Sequence, residues 1–89
     1  MKRYIIRVTG KVQGVFYRAS TQKQADLWKI KGWVCNEADG SVLIDAEGDP
    51  ASLTQLIDWC KQGPRQAQVS HISVTEEPPV GYQDFIVKR

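Results

Sequence analysis

Gly32-Trp33-Val34-Cys35-Asn36-Glu37-Ala38-Asp39-Gly40-Ser41-Val42-Leu43-Ile44-Asp45-Ala46-Glu47 reads as strand, turn and strand. Gly32 to Asn36 is a short β-rich run entered through a glycine. Asp39-Gly40 carries the turn signal of a hairpin. From Ser41 the pattern alternates, with Val42, Ile44 and Ala46 on one face and Leu43, Asp45 and Glu47 on the other. Helical patterns flank this hairpin on both sides. Upstream, Arg18 to Trp28 or Ile30 sets Thr21, Ala25 and Trp28 at helical spacing, facing a core. Downstream, Asp49 suits an N-cap and Pro50 the first helical position. Leu53, Leu56, Ile57 and Cys60 then form an apolar stripe. Gly63 suits a left-handed helix end, and Pro64 prevents continuation.

Beyond the helices lie further strand signals, at Tyr4 to Thr9 and Val69 to Thr75. A loop at Pro78-Pro79-Val80-Gly81 precedes a last short strand, Phe85-Ile86-Val87. The order is β-α-β-β-α-β plus a short C-terminal strand. That order predicts an α+β, ferredoxin-like split βαβ fold, an antiparallel sheet with two helices on one face.

The chain has 89 residues, read as one domain over 1–89 with no repeat or low-complexity segment. Its 12 basic and 10 acidic residues are scattered, and a net charge of +2 gives no basic stripe for nucleic acid. RNA-recognition modules share this element order but stack bases on aromatics of the third strand. Val42 to Glu47 has no aromatic and two acids, so RNA is not expected as a partner. No apolar run approaches the roughly 18 residues that a membrane span needs. Met1-Lys2-Arg3-Tyr4-Ile5-Ile6-Arg7 breaks on charges before a signal-peptide core could form, so the cytosol is the expected location. One histidine and two cysteines are too few for a structural zinc site, and a Cys35–Cys60 disulfide is not expected in a reducing compartment.

The remaining signal is Gly10-Lys11-Val12-Gln13-Gly14-Val15-Phe16-Tyr17-Arg18, between the first strand and the first helix. A glycine-containing turn feeding a helix start leaves backbone N–H groups without intrahelical partners. With the helix dipole they make an anion site. Arg18 adds a planar fork that grips a phosphate through two hydrogen bonds. The loop is not a Walker A motif, because Gly10-Lys11 is followed by Val12 rather than Ser or Thr. Nor is there a thiolate phosphatase loop: Cys60 to Arg65 is one residue short of that cradle. Taken singly, Arg18 could be a solvated first-turn arginine and Asn36 a residue capping the hairpin. Cys60 reads as a buried small hydrophobe, His71 as a surface residue, and Trp28, Trp33 and Trp59 as core side chains.

Together, two segments resemble the acylphosphatase family. Gly10-x-Val12-Gln13-Gly14-Val15-x-Tyr17-Arg18 is similar to its first signature, and Gly32-Trp33-Val34-x-Asn36-x-x-x-Gly40-x-Val42 with Gly48 to its second. Gly63-Pro64 with Ala67 and Val69 adds to the likeness, which runs the length of the chain. The resemblance implies hydrolysis of carboxylic–phosphoric anhydrides to carboxylate and phosphate. It also implies a substrate-binding role for Arg18, a water-orienting role for Asn36, and a phosphate cradle of backbone N–H groups from Gln13, Gly14, Val15, Phe16 and Tyr17. No metal or other cofactor is implied. Where the family commonly has glycine near the end of the first helix, this chain reads Trp28-Lys29-Ile30-Lys31, so Lys29 is expected to close the helix left-handed.

The residue types suit that chemistry. A carboxylate leaves as a stable anion and needs no proton donor, and phosphoryl transfer through a loose transition state is mainly positioning and charge stabilisation. An anion cradle with one water-positioning amide then suffices. The expected partners are a small acyl phosphate as substrate and inorganic phosphate as product and inhibitor, handled by a monomer. The alternative is a non-catalytic phosphate-binding module of the same fold.

Overall fold

The computed structural model describes residues 1–88. Its elements run β1 (Lys2–Lys11), α1 (Tyr17–Leu27), β2 (Lys31–Asn36), β3 (Val42–Gly48), α2 (Pro50–Cys60), β4 (Gln68–Glu77) and β5 (Phe85–Val87). The sheet order is β4-β1-β3-β2-β5. The first four strands of this order pair antiparallel, with β2 and β3 in register from Lys31↔Glu47 to Asn36↔Val42. The short β5 joins the β2 edge in parallel, from Gly32↔Phe85 to Val34↔Val87, so the sheet is mixed. The cause is the route of the chain. After β4 it crosses the sheet and returns opposite to β4, which is the direction of β2.

Both helices cover one face, α1 over β2 and β5 and α2 over β1 and β3. Ile6, Val8, Val34, Val42, Ile44 and Ala46 from the strands meet Leu53, Leu56 and Cys60 from α2, all fully buried. Each buried leucine contributes about 1.5–3 kcal/mol relative to exposure. Thr21 and Ala25 face the core from α1, and the Thr21 hydroxyl donates to the Tyr17 carbonyl at 2.8 Å. Trp28 lies beyond the end of α1 and is half-buried. Lys29 closes that end left-handed at φ 59°. Asp49 occupies the N-cap position of α2, but its side chain makes no capping hydrogen bond. Among the described residues no helix is long and apolar enough to cross a membrane.

On the other face of the sheet, Asp45 and Glu47 alternate away from the core, yet they are only 1% and 4% exposed. The segment from Pro78 to Asp84 accounts for this. The Arg3 guanidinium donates to both Asp45 oxygens, from Nε at 2.9 Å and Nη2 at 2.8 Å, and to the Pro78 carbonyl at 3.1 Å. The Tyr82 hydroxyl donates to Asp45 at 2.8 Å. Glu47 accepts backbone N–H groups from Val80, Gly81 and Tyr82 at 2.6–3.1 Å. Trp33 also belongs to this side rather than to the core. Its indole N–H donates to the Tyr82 hydroxyl at 3.2 Å, because one-residue alternation sets it opposite Val34.

Candidate active site

The site begins where β1 leaves the sheet. Its pairing with β4 shifts register between Thr9 and Gly10, and the chain lifts away after Lys11. Val12 and Val15 are buried and anchor the loop from beneath. Between and after them, Gly14 (φ 74°) and Phe16 (φ 65°) are left-handed, whereas Val15 is not. An added Cβ at Gly14 would meet open space, so glycine is required there by backbone hand alone. Alternation of hand turns successive N–H groups to one side as an anion-binding concavity. Among the described residues, no N–H from Gln13 to Tyr17 is donated to a turn, loop or cap acceptor. The positive end of α1 starts at the same point.

Arg18 follows in the first turn of α1, where its Nη1 donates to the Lys88 carbonyl at 2.9 Å. Among the described residues its guanidinium meets no carboxylate within salt-bridge distance. Asn36 is the last residue of β2 and shares a face with Val34, the face that carries the helices. Arg18 and Asn36 therefore line one open cleft of ≈ 290 Å³, together with Gly14, Phe16 and Tyr17. Gln13 and Val15 are not among its lining residues. Val15 points into the core, and the Gln13 side chain reaches elsewhere.

The Gln13 amide donates to the Glu37 carbonyl at 2.8 Å and to the Ser41 carbonyl at 2.9 Å. These oxygens form the neck of the turn that follows Asn36. The turn is closed by Glu37 N–H on the Ser41 carbonyl at 2.8 Å, and by Ser41 donating to Asp39 from N–H at 2.9 Å and from its hydroxyl at 2.6 Å. Those Ser41 donors hold the Asp39 carboxyl below its ordinary range. Arg7 also donates to the Ser41 hydroxyl at 2.8 Å. One side chain thus joins the cradle to the hairpin that carries Asn36. Sequence spacing alone does not show which carbonyls a loop glutamine will reach.

Tyr17 fixes the other side. Its ring is buried 5.4 Å from that of Trp59, and its hydroxyl donates to the Cys60 carbonyl at 2.7 Å. Burial pushes the phenol well above its ordinary range, so it stays protonated as a donor. A Cβ on Gly63 (φ 67°) would sit 2.5 Å from Cε2 of this ring. The glycine read as a helix terminator therefore also admits the Tyr17 ring.

Neither cysteine nor the histidine lines the cleft. Cys60 is buried in the core and burial pushes its thiol up to about 12. Cys35 alternates to the opposite face, where burial and the nearby Glu37 raise its thiol. Both are free. His71 is exposed on β4.

With this geometry, comparisons with known proteins are specific. The acylphosphatase family model matches residues 4–87. An acylphosphatase of Syntrophus aciditrophicus is 48% identical over 86 residues, covering 96% of this chain and 90% of the relative. The crystal structure of acylphosphatase from Bacillus subtilis superposes with a TM-score of 0.96 at 40% identity, over 100% of each chain. A crystal structure of full-length HypF, in a phosphate- and nucleotide-bound form, matches with a TM-score of 0.88 at 25% identity, over 99% of this chain and 12% of that one. The loop, the hairpin and the sheet that joins them are thus shared with relatives matched along nearly their whole length, and the chain belongs to the acylphosphatase family.

Proposed function

We propose that acyl phosphate hydrolysis in this chain is carried by Arg18, Asn36 and the backbone N–H groups of Gln13, Gly14, Val15, Phe16 and Tyr17. The family supports the overall reaction, cleavage of an acyl phosphate to carboxylate and inorganic phosphate. The observation that carries the residue roles is the cleft itself, where Arg18 and Asn36 face the same space as Gly14, Phe16 and Tyr17 of a loop whose N–H groups, among the described residues, meet no turn, loop or cap acceptor.

The phosphoryl group sits on the N–H groups, with the Arg18 fork across its oxygens. The Asn36 amide makes no side-chain hydrogen bond to the protein among the described residues, which leaves it available to hold a water. That water attacks phosphorus in line as the bond to the acyl oxygen breaks. The electron pair departs with the carboxylate, and the water's proton passes to a phosphate oxygen. No Asp, Glu, His or Cys lines the cleft, and none is required, because the leaving group is a stable anion. Charge stabilisation comes from Arg18 and the cradle, without a metal. The chain acts as a single domain over 1–89, a cytosolic monomer whose ligands are a small acyl phosphate and inorganic phosphate, with no nucleic-acid or membrane partner.

The test compares an acyl phosphate with an alkyl phosphate of similar size in excess chelator. The acyl phosphate is turned over and the alkyl phosphate, whose alkoxide is a poor leaving group, is hydrolysed far more slowly. Comparable rates, or loss of activity to the chelator, would contradict the assignment.

A further inference from the structure

Asn36 ends β2, and the chain turns through residues 37–41 before β3 begins. Its pairing with Val42 is the last rung of the β2–β3 ladder. A residue on the last rung moves with the turn that follows it. Bonds inside the turn, from Glu37 N–H to the Ser41 carbonyl and from Ser41 to Asp39, fix its shape but not its place on the sheet. Among the described residues, two side chains from outside the hairpin bond to it there, Gln13 and Arg7.

Arg7 reaches the turn from the sheet face opposite the cleft, and it does not line the cleft. It sits on β1, which has a neighbour on each side, and pairs with Leu43 of β3 and Ser73 of β4. Nη1 donates to the Ser41 hydroxyl at 2.8 Å and lies 3.8 Å from the Asp39 carboxylate. Nη2 lies 3.6 Å from one Glu37 oxygen, and the other accepts from the Cys35 thiol at 3.5 Å. The residues on either side of Asn36 are thus joined through Glu37 to one guanidinium. The strand that carries this guanidinium runs on into the cradle loop.

Stability does not account for this convergence. The side chains of Arg7 and Asp39 are 40% and 65% exposed, and ion pairs so open to water contribute little to folding. The Ser41 hydroxyl already has a partner in Asp39 at 2.6 Å. What the planar fork adds is direction, because it meets the turn at three side chains from a fixed strand.

We infer that Arg7 is a positioning residue for Asn36, which fixes the Asn36 turn to β1 from behind the sheet and so sets kcat without setting phosphate affinity. This rests on the assignment of the attacking water to Asn36 and extends it to a residue outside the cleft. The cradle and Arg18 belong to the loop and to α1, so phosphate binding does not depend on the turn. A misplacement of about 1 Å at a reacting group costs about 10²-fold in rate. Without Arg7 the turn keeps the Gln13 contact, and the expected loss is smaller, about tenfold.

The experiment measures kcat for benzoyl phosphate, inhibition by inorganic phosphate and the urea midpoint. The variants are Arg7→Met, Arg7→Lys, Ser41→Ala, the Arg7→Met/Ser41→Ala double variant and Asn36→Ala. Arg7→Met keeps the stem but not the fork. Its kcat falls about tenfold, while phosphate inhibition and the urea midpoint stay close to wild type, and Arg7→Lys recovers part of the loss. The double variant loses less than the product of the two single losses, because both changes release the same attachment. Wild-type kcat in Arg7→Met, loss of kcat and phosphate inhibition together, or single losses that multiply in the double variant overturns the positioning role. If Asn36→Ala itself keeps kcat, the assignment of the water fails. If Asn36→Ala loses kcat and Arg7→Met does not, the role of Arg7 alone fails.

Discussion

Gln13 joins two motifs that are separate in sequence. Its amide donates to two carbonyls at the neck of the Asn36 hairpin, and both are acceptors only. Gln13→Ala removes the strut. If Asn36 orients the water as proposed, its misplacement is expected to lower kcat by about 10–100-fold. Gln13→Glu should be worse than alanine, because an ionised carboxylate would then face two carbonyl oxygens. Steady-state kinetics on one acyl phosphate checks both, and a glutamate variant as active as wild type would remove the role. Arg18 and Asn36 stood out in the sequence because each belongs to a motif of several residue types at fixed spacing, and the fold brings the two to one cleft. Gln13 was legible as part of the loop, but not as a strut, since its partners are 24 and 28 residues away. Lys29 was readable from a missing glycine, and its φ of 59° is the outcome.

Helix punctuation was the most transparent part of the chain. Pro50 and Gly63-Pro64 bracket α2 as local backbone rules require. What they did not reveal is that Gly63 leaves room for Tyr17, the first residue of α1. Gly63→Ala therefore adds a ring clash to a left-handed backbone that alone costs about 1–2 kcal/mol. Tyr17→Phe keeps the ring and leaves the Cys60 carbonyl without that donor, at about 1–3 kcal/mol. Urea unfolding of both variants should show the losses, with the alanine variant the less stable of the two. Unchanged midpoints would mean that α1 and α2 are not coupled through this contact. The direction of β5 was not readable either. Three residues carry no signal of whether they pair parallel or antiparallel, and the crossing of 78–84 decides it.

Across the molecule, that crossing makes the second sheet face a polar interior. Period-two alternation placed Asp45 and Glu47 on the face away from Val42, Ile44 and Ala46 but not their cover, since nothing local announces that a segment more than thirty residues later will bury them. Burial opposes the charge on Glu47, yet N–H donors from Gly81, Val80 and Tyr82, with Arg3, hold its carboxyl below the ordinary 4.5. A lowered folded value means stability that is present above 4.5 and lost as pH falls through that lowered value. Glu47→Gln should thus flatten the acid limb of a stability–pH curve, and an equally steep limb would exclude the clamp. The segment it holds leads into β5 and to the Lys88 carbonyl that receives Arg18, so the second face supports the cleft from behind.

The proposed mechanism converges on Asn36, to which it assigns the water that separates hydrolysis from mere anion binding. Asn36→Ala should be measured for kcat on benzoyl phosphate and for competitive inhibition by inorganic phosphate. The expected result is a fall in kcat of about 10²–10³ or more, the scale of one lost transition-state contact, with phosphate inhibition close to wild type. A variant that keeps near-normal kcat, or loses phosphate inhibition along with it, would contradict the water-positioning role.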